Sequence, residues 1–306
     1  MKIAAFLDGR PGHEKQTAGI IRALSQRTEI EVFEIKVKDR LAGSYKAISE
    51  YKRQSENLEN NGSGFDIVIG TGSKTHICVI TAKLLSKAKA VICMSPEKFF
   101  LPFFDLCFVP VHDDLSENNN VFKTAGPPGI NIDRGHHDKT AGLVLIGGID
   151  EKSHYWDQDV ILENVEKILK SGSDIKWTVS TSPRTPDSMD VGLKQITDAT
   201  GSEFRPFSST PRGWLESMYD ECKTVWVTAD SISMVYEALS AGCRVGVIPV
   251  LWKKKTVKFQ RSFDFLISRG LVAFYPESPD IEKNMETFDE AGRCAEEIIS
   301  RWLKKD

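Results

Sequence analysis

Short apolar runs punctuate the chain at residues 2–7, 30–37, 66–70, 90–94, 105–109, 143–146, 175–180, 224–228 and 244–248, each closed by Gly, Pro, Ser or Asp. Most are followed by a segment of helical periodicity, and this alternation predicts parallel strands joined by crossover helices. "TAGIIRALSQ" (17–26) puts Ile20, Ile21 and Leu24 on one helical face, and "HICVITAKLLSKA" (76–88) is apolar enough for a helix packed on a sheet. The terminal segment 286–303 carries Phe288, Ala291, Ala295, Ile298, Ile299 and Trp302 at helical spacing, which predicts a packed amphipathic helix. Residues 110–142 break the rhythm with prolines, glycines and polar residues, and their end, near 133–141, reads as a linker. The rhythm restarts at "AGLVLIGG", so two α/β domains are expected, residues 1–136 and 137–285.

Composition narrows the function more than the fold. The 306 residues are 41% hydrophobic, enough to fill real cores, and the net charge of −3 supplies no global field to hold nucleic acid or an anionic membrane. Anion binding must therefore be local. Six cysteines form no CxxC pair, and three lie in the apolar runs "ICVI", "VICM" and "LCFV", which predicts buried, reduced thiols. The apolar "IAAFL" stops at Asp8 and no run nears the ~18 residues that span a bilayer, so the expected location is the cytoplasm, with docking on the inner membrane face left open. The histidines, 13, 76, 112, 136, 137 and 154, make no HExxH or Cys/His zinc spacing, and no metal or cofactor is expected. There is no GxSxG elbow, which disfavours an α/β-type serine hydrolase.

In open parallel sheets, ligands bind beyond the carboxyl ends of the strands. Five loops there carry chemistry. "DGRPGHEKQ" (8–16) crowds Asp8, Gly9, Arg10, Gly12, His13, Glu14 and Gln16 onto one turn, more titratable groups than turning requires. The alternative is a plain bend with solvated charges. "GTGSKTH" offers Gly70, Thr71, Gly72, Ser73 and Lys74 at a helix start that suits an anion, or a simple capped turn. "GGIDEKSHYW" opens with Gly147-Gly148, and "STSPRTP" sets Ser182 beside Arg184, which two prolines stiffen. In "TADSISMVYE", Asp230 or Ser231 can cap a helix whose first turn carries Ser233, with Glu237 one turn further on the same face. "WKKKTVK" (252–258), with Lys253, is the densest basic run, and could meet a phosphate or be a solvated loop.

In order, "LDGRPGHEKQ" (7–16), "VIGTGSKT" (68–75), "FDLCFVPVHD" (104–113), "VLIGGIDEKSHYWD" (144–157), "STSPRTP" (180–186) and "VTADSISMVYEALSAGCRVGV" (227–247) make a set. With them the chain resembles the bacterial branch of the mitochondrial fission ELM family, glycosyltransferase-like proteins of the GT-B fold. It departs from the family pattern at Lys15, where Asn is usual, and at Ser73-Lys74, where an arginine pair is usual. The resemblance implies two Rossmann-like domains facing across a cleft, with the terminal helix (286–306) crossing back to the first. It implies a nucleotide-sugar on the second domain, with Ser231, Ser233 and Met234 at the phosphates, Glu237 near the ribose, and Arg184 and Gly147-Gly148 flanking them. An acceptor, an envelope glycan or lipid-linked saccharide, would lie against the first domain.

Sugar transfer without a metal needs cations and helix N-termini at the leaving diphosphate, which would fall to Arg184, Ser231, Ser233 and Lys253. An inverting enzyme also needs a base, and His13 suits best because histidine changes charge near neutrality, with Glu14 and Asp8 as reserves. A nucleotide-sugar 2-epimerase and a non-enzymatic adaptor of the fission type are the rival readings.

Overall fold

The computed structural model describes residues 1–38, 42–113, 115–129, 134–171, 174–253, 257–277 and 288–303. Lys254, Lys255 and Thr256 of the basic run, Asp133 of the expected linker and residues 286–287 lie outside them. Two units form, Met1–Ile130 with Asp289–Asp306, and Asn131–Phe288.

In the first unit the apolar runs become β1 (Lys2–Leu7), β2 (Glu31–Lys36), β3 (Ile67–Thr71), β4 (Lys89–Cys93) and β5 (Leu106–Pro110), joined by a short β6 (Val121–Thr124). The intervening segments form α1 (Pro11–Ser25), α2 (Ala42–Asn60) and α3 (His76–Leu85). The sheet is parallel throughout, in the order β2-β1-β3-β4-β5-β6. Strand alternation feeds two layers. Ala4 and Phe6 pack with Tyr51 of α2 and Val79 of α3, while Ile3 and Ala5 pack with Ile20 and Leu24 of α1. Burial on both faces is why the central strands β1, β3, β4 and β5 read as largely apolar runs, whereas the edge strand β2 keeps Glu31, Glu34 and Lys36.

The second unit repeats the plan with β7 (Asp138–Leu145), β8 (His154–Tyr155), α4 (Gln158–Ser171), β9 (Lys176–Ser180), α5 (Ser188–Thr200), β10 (Glu203–Arg205) and α6 (Trp214–Glu221). It continues through β11 (Cys222–Thr228), α7 (Ile232–Ser240), β12 (Arg244–Ile248), β13 (Leu251–Trp252), α8 (Val257–Ser268) and β14 (Val272–Phe274). Its main sheet is parallel, in the order β10-β9-β7-β11-β12-β14, and β8 and β13 make a small antiparallel ribbon. Leu143 of β7 begins the run expected from residue 143, but the strand starts at Asp138, inside the stretch read as linker. Asp138 already pairs with Cys222, with a register shift before Thr224, so polar residues there extend the ladder.

Both sheets reverse direction once. The chain steps outward from β1 to β2 and then returns to β3 on the other side of β1; in the second sheet it does so between β7 and β11. Loops leaving such a strand pair diverge, so each unit opens a crevice at that switch point.

The last helix, α9 (Glu290–Trp302), belongs to the first unit. Asp289 caps it by accepting the Gly292 N–H at 2.7 Å, and Cys294, Ala295 and Ile298 are fully buried in the layer with α1. The buried Glu290 carboxylate accepts the Ala125 N–H at 2.8 Å and the Arg293 guanidinium at 2.7 Å, which ties α9 to the end of β6. Phe288, expected on the helix face, instead precedes the helix and stacks on Tyr236 at 5.7 Å in the second unit. All six cysteines are buried and outside any disulfide, and burial pushes the thiols of Cys93, Cys107 and Cys222 up to about 12.

Truncating Ile298 to Ala should cost about 2–5 kcal/mol of stability, measurable by chemical denaturation. His76 is buried between the rings of Phe100 and Phe104, its Nδ1 meets no hydrogen-bond partner among the described residues, and burial lowers its pKa. Keeping it neutral contributes stability that is complete above the ordinary value of 6.5 and is lost as pH falls through the lower folded value. His76→Phe should flatten that acid limb of the stability profile while the rest of the curve keeps its shape.

Candidate functional site

At the second unit's switch point the ends of β7, β9 and β11 converge on one guanidinium. Asp230 follows β11, and its side chain is 1% exposed. Its Oδ2 accepts the Gly148 N–H at 3.0 Å and Nη2 of Arg184 at 2.8 Å. The same Nη2 donates to Ser231 Oγ at 3.0 Å, and Nη1 reaches the Gly148 carbonyl at 3.4 Å. Arg184 is thus held along one edge while its side chain stays 43% exposed. Asp230 Oδ1 is buried with no hydrogen-bond partner among the described residues.

Hydroxyls hold the loops that carry this group. Ser182 Oγ donates to the Gly147 carbonyl at 2.6 Å, and Thr185 Oγ1 donates to the carbonyls of Ile146 and Gly147. Thr228 Oγ1 accepts the Gly147 N–H at 2.7 Å. A Cβ on Gly147 would overlap the Asp230 carboxylate, and one on Gly148 would overlap the Arg184 backbone, so the glycine pair is what lets three loops close together. Thr185 and Thr228 carry no chemical signal of their own in the sequence, although Thr185 adjoins Arg184 and Thr228 ends β11 two residues before Asp230.

The expected helix cap does not form. Ser231 sits at the N-cap of α7 without a side-chain capping bond, and Asp230 and Ser231 both turn to Arg184. A charge-assisted bond to a guanidinium outweighs a cap on a neutral N–H. The first turn of α7 therefore keeps its N–H groups uncapped by a side chain, the condition under which a helix start takes an anion. Ser233 is exposed and Met234 and Glu237 are half-buried on the following turns, outside the Arg184 network. Lys253 lies elsewhere, on the β8–β13 ribbon, where its Nζ donates to the Glu151 carbonyl at 2.8 Å and sits 5.0 Å over the Tyr155 ring. Asp150, which follows the glycine turn, has its carboxyl held low by the Lys152 N–H and the Ser153 hydroxyl.

The first unit's switch point, between β1 and β3, gathers the opening loop. Asp8 is fully buried at its side chain; Oδ1 accepts the Arg10 N–H at 3.1 Å, and Oδ2 lies 2.9 Å from His13 Nδ1. Glu14 Oε1 accepts the Gly9 N–H at 3.0 Å, closing the turn. Asp8 and Glu14 are thus engaged in building the loop, and Nε2 of the His13 ring lies outside these contacts. The His13 ring packs against Gly72, whose φ of 79° and missing side chain make room for it. Thr71 and Thr17 share a buried hydrogen bond at 2.7 Å, which joins the end of β3 to α1. Gly70 and Thr71 end β3; Ser73 is exposed, Lys74 and Gln16 are half-buried, and Gly12 is exposed in the first turn of α1.

The family described as mitochondrial fission ELM1 matches residues 11–302. Among solved structures, UDP-GlcNAc 2-epimerase from Methanocaldococcus jannaschii is similar with TM-score 0.59 and 15% identity, covering 98% of this chain and 99% of that one. UDP-GlcNAc 2-epimerase from Neisseria meningitidis, bound to UDP-GlcNAc, gives 0.59 and 13%, covering 100% of each. Phytolacca americana UGT2, complexed with UDP-2fluoro-glucose and pterostilbene, gives 0.53 and 9%, covering 98% and 89%. At these identities the likeness is one of fold, the GT-B class of two parallel-sheet α/β domains. No curated protein matches the chain.

Gly148→Ala should cost about 1–3 kcal/mol, because the new methyl has only backbone to displace. Denaturant unfolding checks this, and a neutral result would mean that the turn is looser than described.

Proposed function

The chain belongs to the mitochondrial fission ELM1 family, and from that premise we propose that it is a glycosyltransferase that takes its sugar from a nucleotide-sugar. The observation that carries the reading is Arg184, held on one edge by a buried carboxylate and open on the other, beside an uncapped helix start at a switch point. Asp230 neutralises the guanidinium but also fixes it, so a diphosphate meets a donor already in place and loses less ordering entropy on binding. The helix N–H groups add the field that the neutralised pair lacks. Ser233 and Glu237, on the first turns of α7, are proposed for the phosphate and ribose, and UDP-sugars are the first donors to try, because similar folds were solved with them.

The proposed base is His13. With Nδ1–H donating its hydrogen bond to Asp8, the lone pair rests on Nε2, and the buried carboxylate, itself remaining ionised, stabilises the imidazolium that forms. The acceptor hydroxyl gives its proton to Nε2 as its oxygen bonds to the sugar's anomeric carbon. The bond from that carbon to the phosphate oxygen breaks, and the nucleoside diphosphate leaves on Arg184 and the α7 start. A glycan or lipid-linked hydroxyl, on the cytoplasmic side, is the proposed acceptor class.

The test is product analysis by mass spectrometry, with UDP-sugars supplied alone and with glycan or lipid-linked acceptors. Acceptor-dependent release of UDP supports transfer, whereas conversion of the donor alone to its C2 epimer would replace this reading with the epimerase one. His13→Ala should lower turnover by about 10²–10⁴-fold with donor affinity unchanged. Full turnover in that variant would remove His13 from the mechanism.

A further inference from the structure

We propose that the outward face of α3 and the neighbouring turn at Leu101–Phe103 dock on an anionic lipid bilayer. No helix among the described residues is long and apolar enough to cross a membrane, so the attachment is peripheral. Exposed large apolar side chains gather here. Leu84 is 75% exposed, Phe99 63%, Phe103 48%, Ile77 46% and Leu85 44%. Ile77, half-buried Ile80 and Leu84 recur at helical spacing on the face of α3 opposite the buried Cys78, Val79 and Ala82. The turn is part of the same surface. Lys83 Nζ donates to the Phe103 carbonyl at 3.1 Å, and the His76 ring meets Phe100 at 5.6 Å.

Such an exposed stripe needs a partner, and the surrounding charge says which. Residues 74–103 hold five lysines, 74, 83, 87, 89 and 98, against one acid, Glu97, in a chain whose total charge is −3, and Glu59, which shares a hollow with Leu84, Leu85 and Lys87, and Asp105 border the same surface. Lys87 and Lys98 are exposed and Lys74 is half-buried, while Lys83 is paired with Asp105 at 2.9 Å. Leucine and phenylalanine rimmed by lysine fit the boundary between acyl chains and anionic headgroups, where the lysine stems lie along apolar surface and the ammonium groups reach phosphate. A second copy of the chain fits worse, because a two-fold contact would bring this lysine-rich surface against itself. The inference stands apart from the transferase reading, since lipid binding is measured without donor or acceptor.

Vesicle flotation with the full chain tests it, using phosphatidylcholine vesicles with and without phosphatidylglycerol. The chain should bind the phosphatidylglycerol vesicles at least tenfold more tightly than the neutral ones. Leu84→Ser with Phe99→Ser should weaken binding at least tenfold while circular dichroism and the melting temperature stay as in the parent. Lys87→Glu with Lys98→Glu should abolish the preference for phosphatidylglycerol. Failure of the parent to bind anionic vesicles at low salt, or binding by either variant equal to the parent's, overturns the proposal. So does a parent dimer that the Leu84→Ser, Phe99→Ser variant converts to monomer, which would assign the face to a second copy.

Discussion

The candidate site depends on one buried carboxylate. Asp230 has its side chain out of solvent at the point where β7 and β11 part, and a lone carboxylate there would be costly without donors. The Gly148 N–H and Arg184 supply them, and each constrains a different loop. Ser182, Thr185 and Thr228 then fasten those loops to the backbone of residues 146–147. Removing the carboxylate would free the guanidinium, and filling either glycine would drive the loops apart. The arrangement is one of position more than of net charge, which is how a chain of charge −3 can present a local anion site.

The first unit solves a related problem with different parts. Its switch point also buries an aspartate, and Asp8 likewise orients a neighbour, here an imidazole. Gly72 gives the ring its space and the Thr17–Thr71 bond pins α1 to the end of β3. In both units the buried acid accepts a main-chain N–H from its own turn or the next loop and uses its remaining capacity on the side chain that faces outward. Two Rossmann-like sheets thus arrive at the same device, an acid below and a titratable or cationic group above.

Much of this could be read from the chain, for identifiable reasons. Nine apolar runs became strands, and the central ones stand out because burial on both faces leaves few polar positions to blur them, while the edge strand β2 shows only as alternation. β6, β8, β10, β13 and β14 leave no such mark, since "VFKT", "HY", "EFR", "LW" and "VAF" are too short for any period to show. The loops were legible as strand ends rich in Gly, Ser and charge, and Arg184, Asp230, Ser231 and the glycine pair do meet. Their roles were harder to see. Asp230 and Ser231 suit a helix cap by local rules, and only the long-range approach of Arg184, 46 residues away, diverts them. Lys253 had no local signal separating a phosphate contact from a bond to the Glu151 carbonyl.

Titration of the folded chain with uridine diphosphate, followed by thermal unfolding, most directly tests whether the Arg184 cradle is an anion site. A ligand that binds only the folded state must stabilise it, by about 2.7 kcal/mol at a hundredfold excess over its Kd. Uridine diphosphate should raise the melting temperature, and Arg184→Ala, still folded, should need at least tenfold more ligand for the same rise. An identical rise in Arg184→Ala, or none in the parent with any nucleoside diphosphate at millimolar concentration, would contradict it.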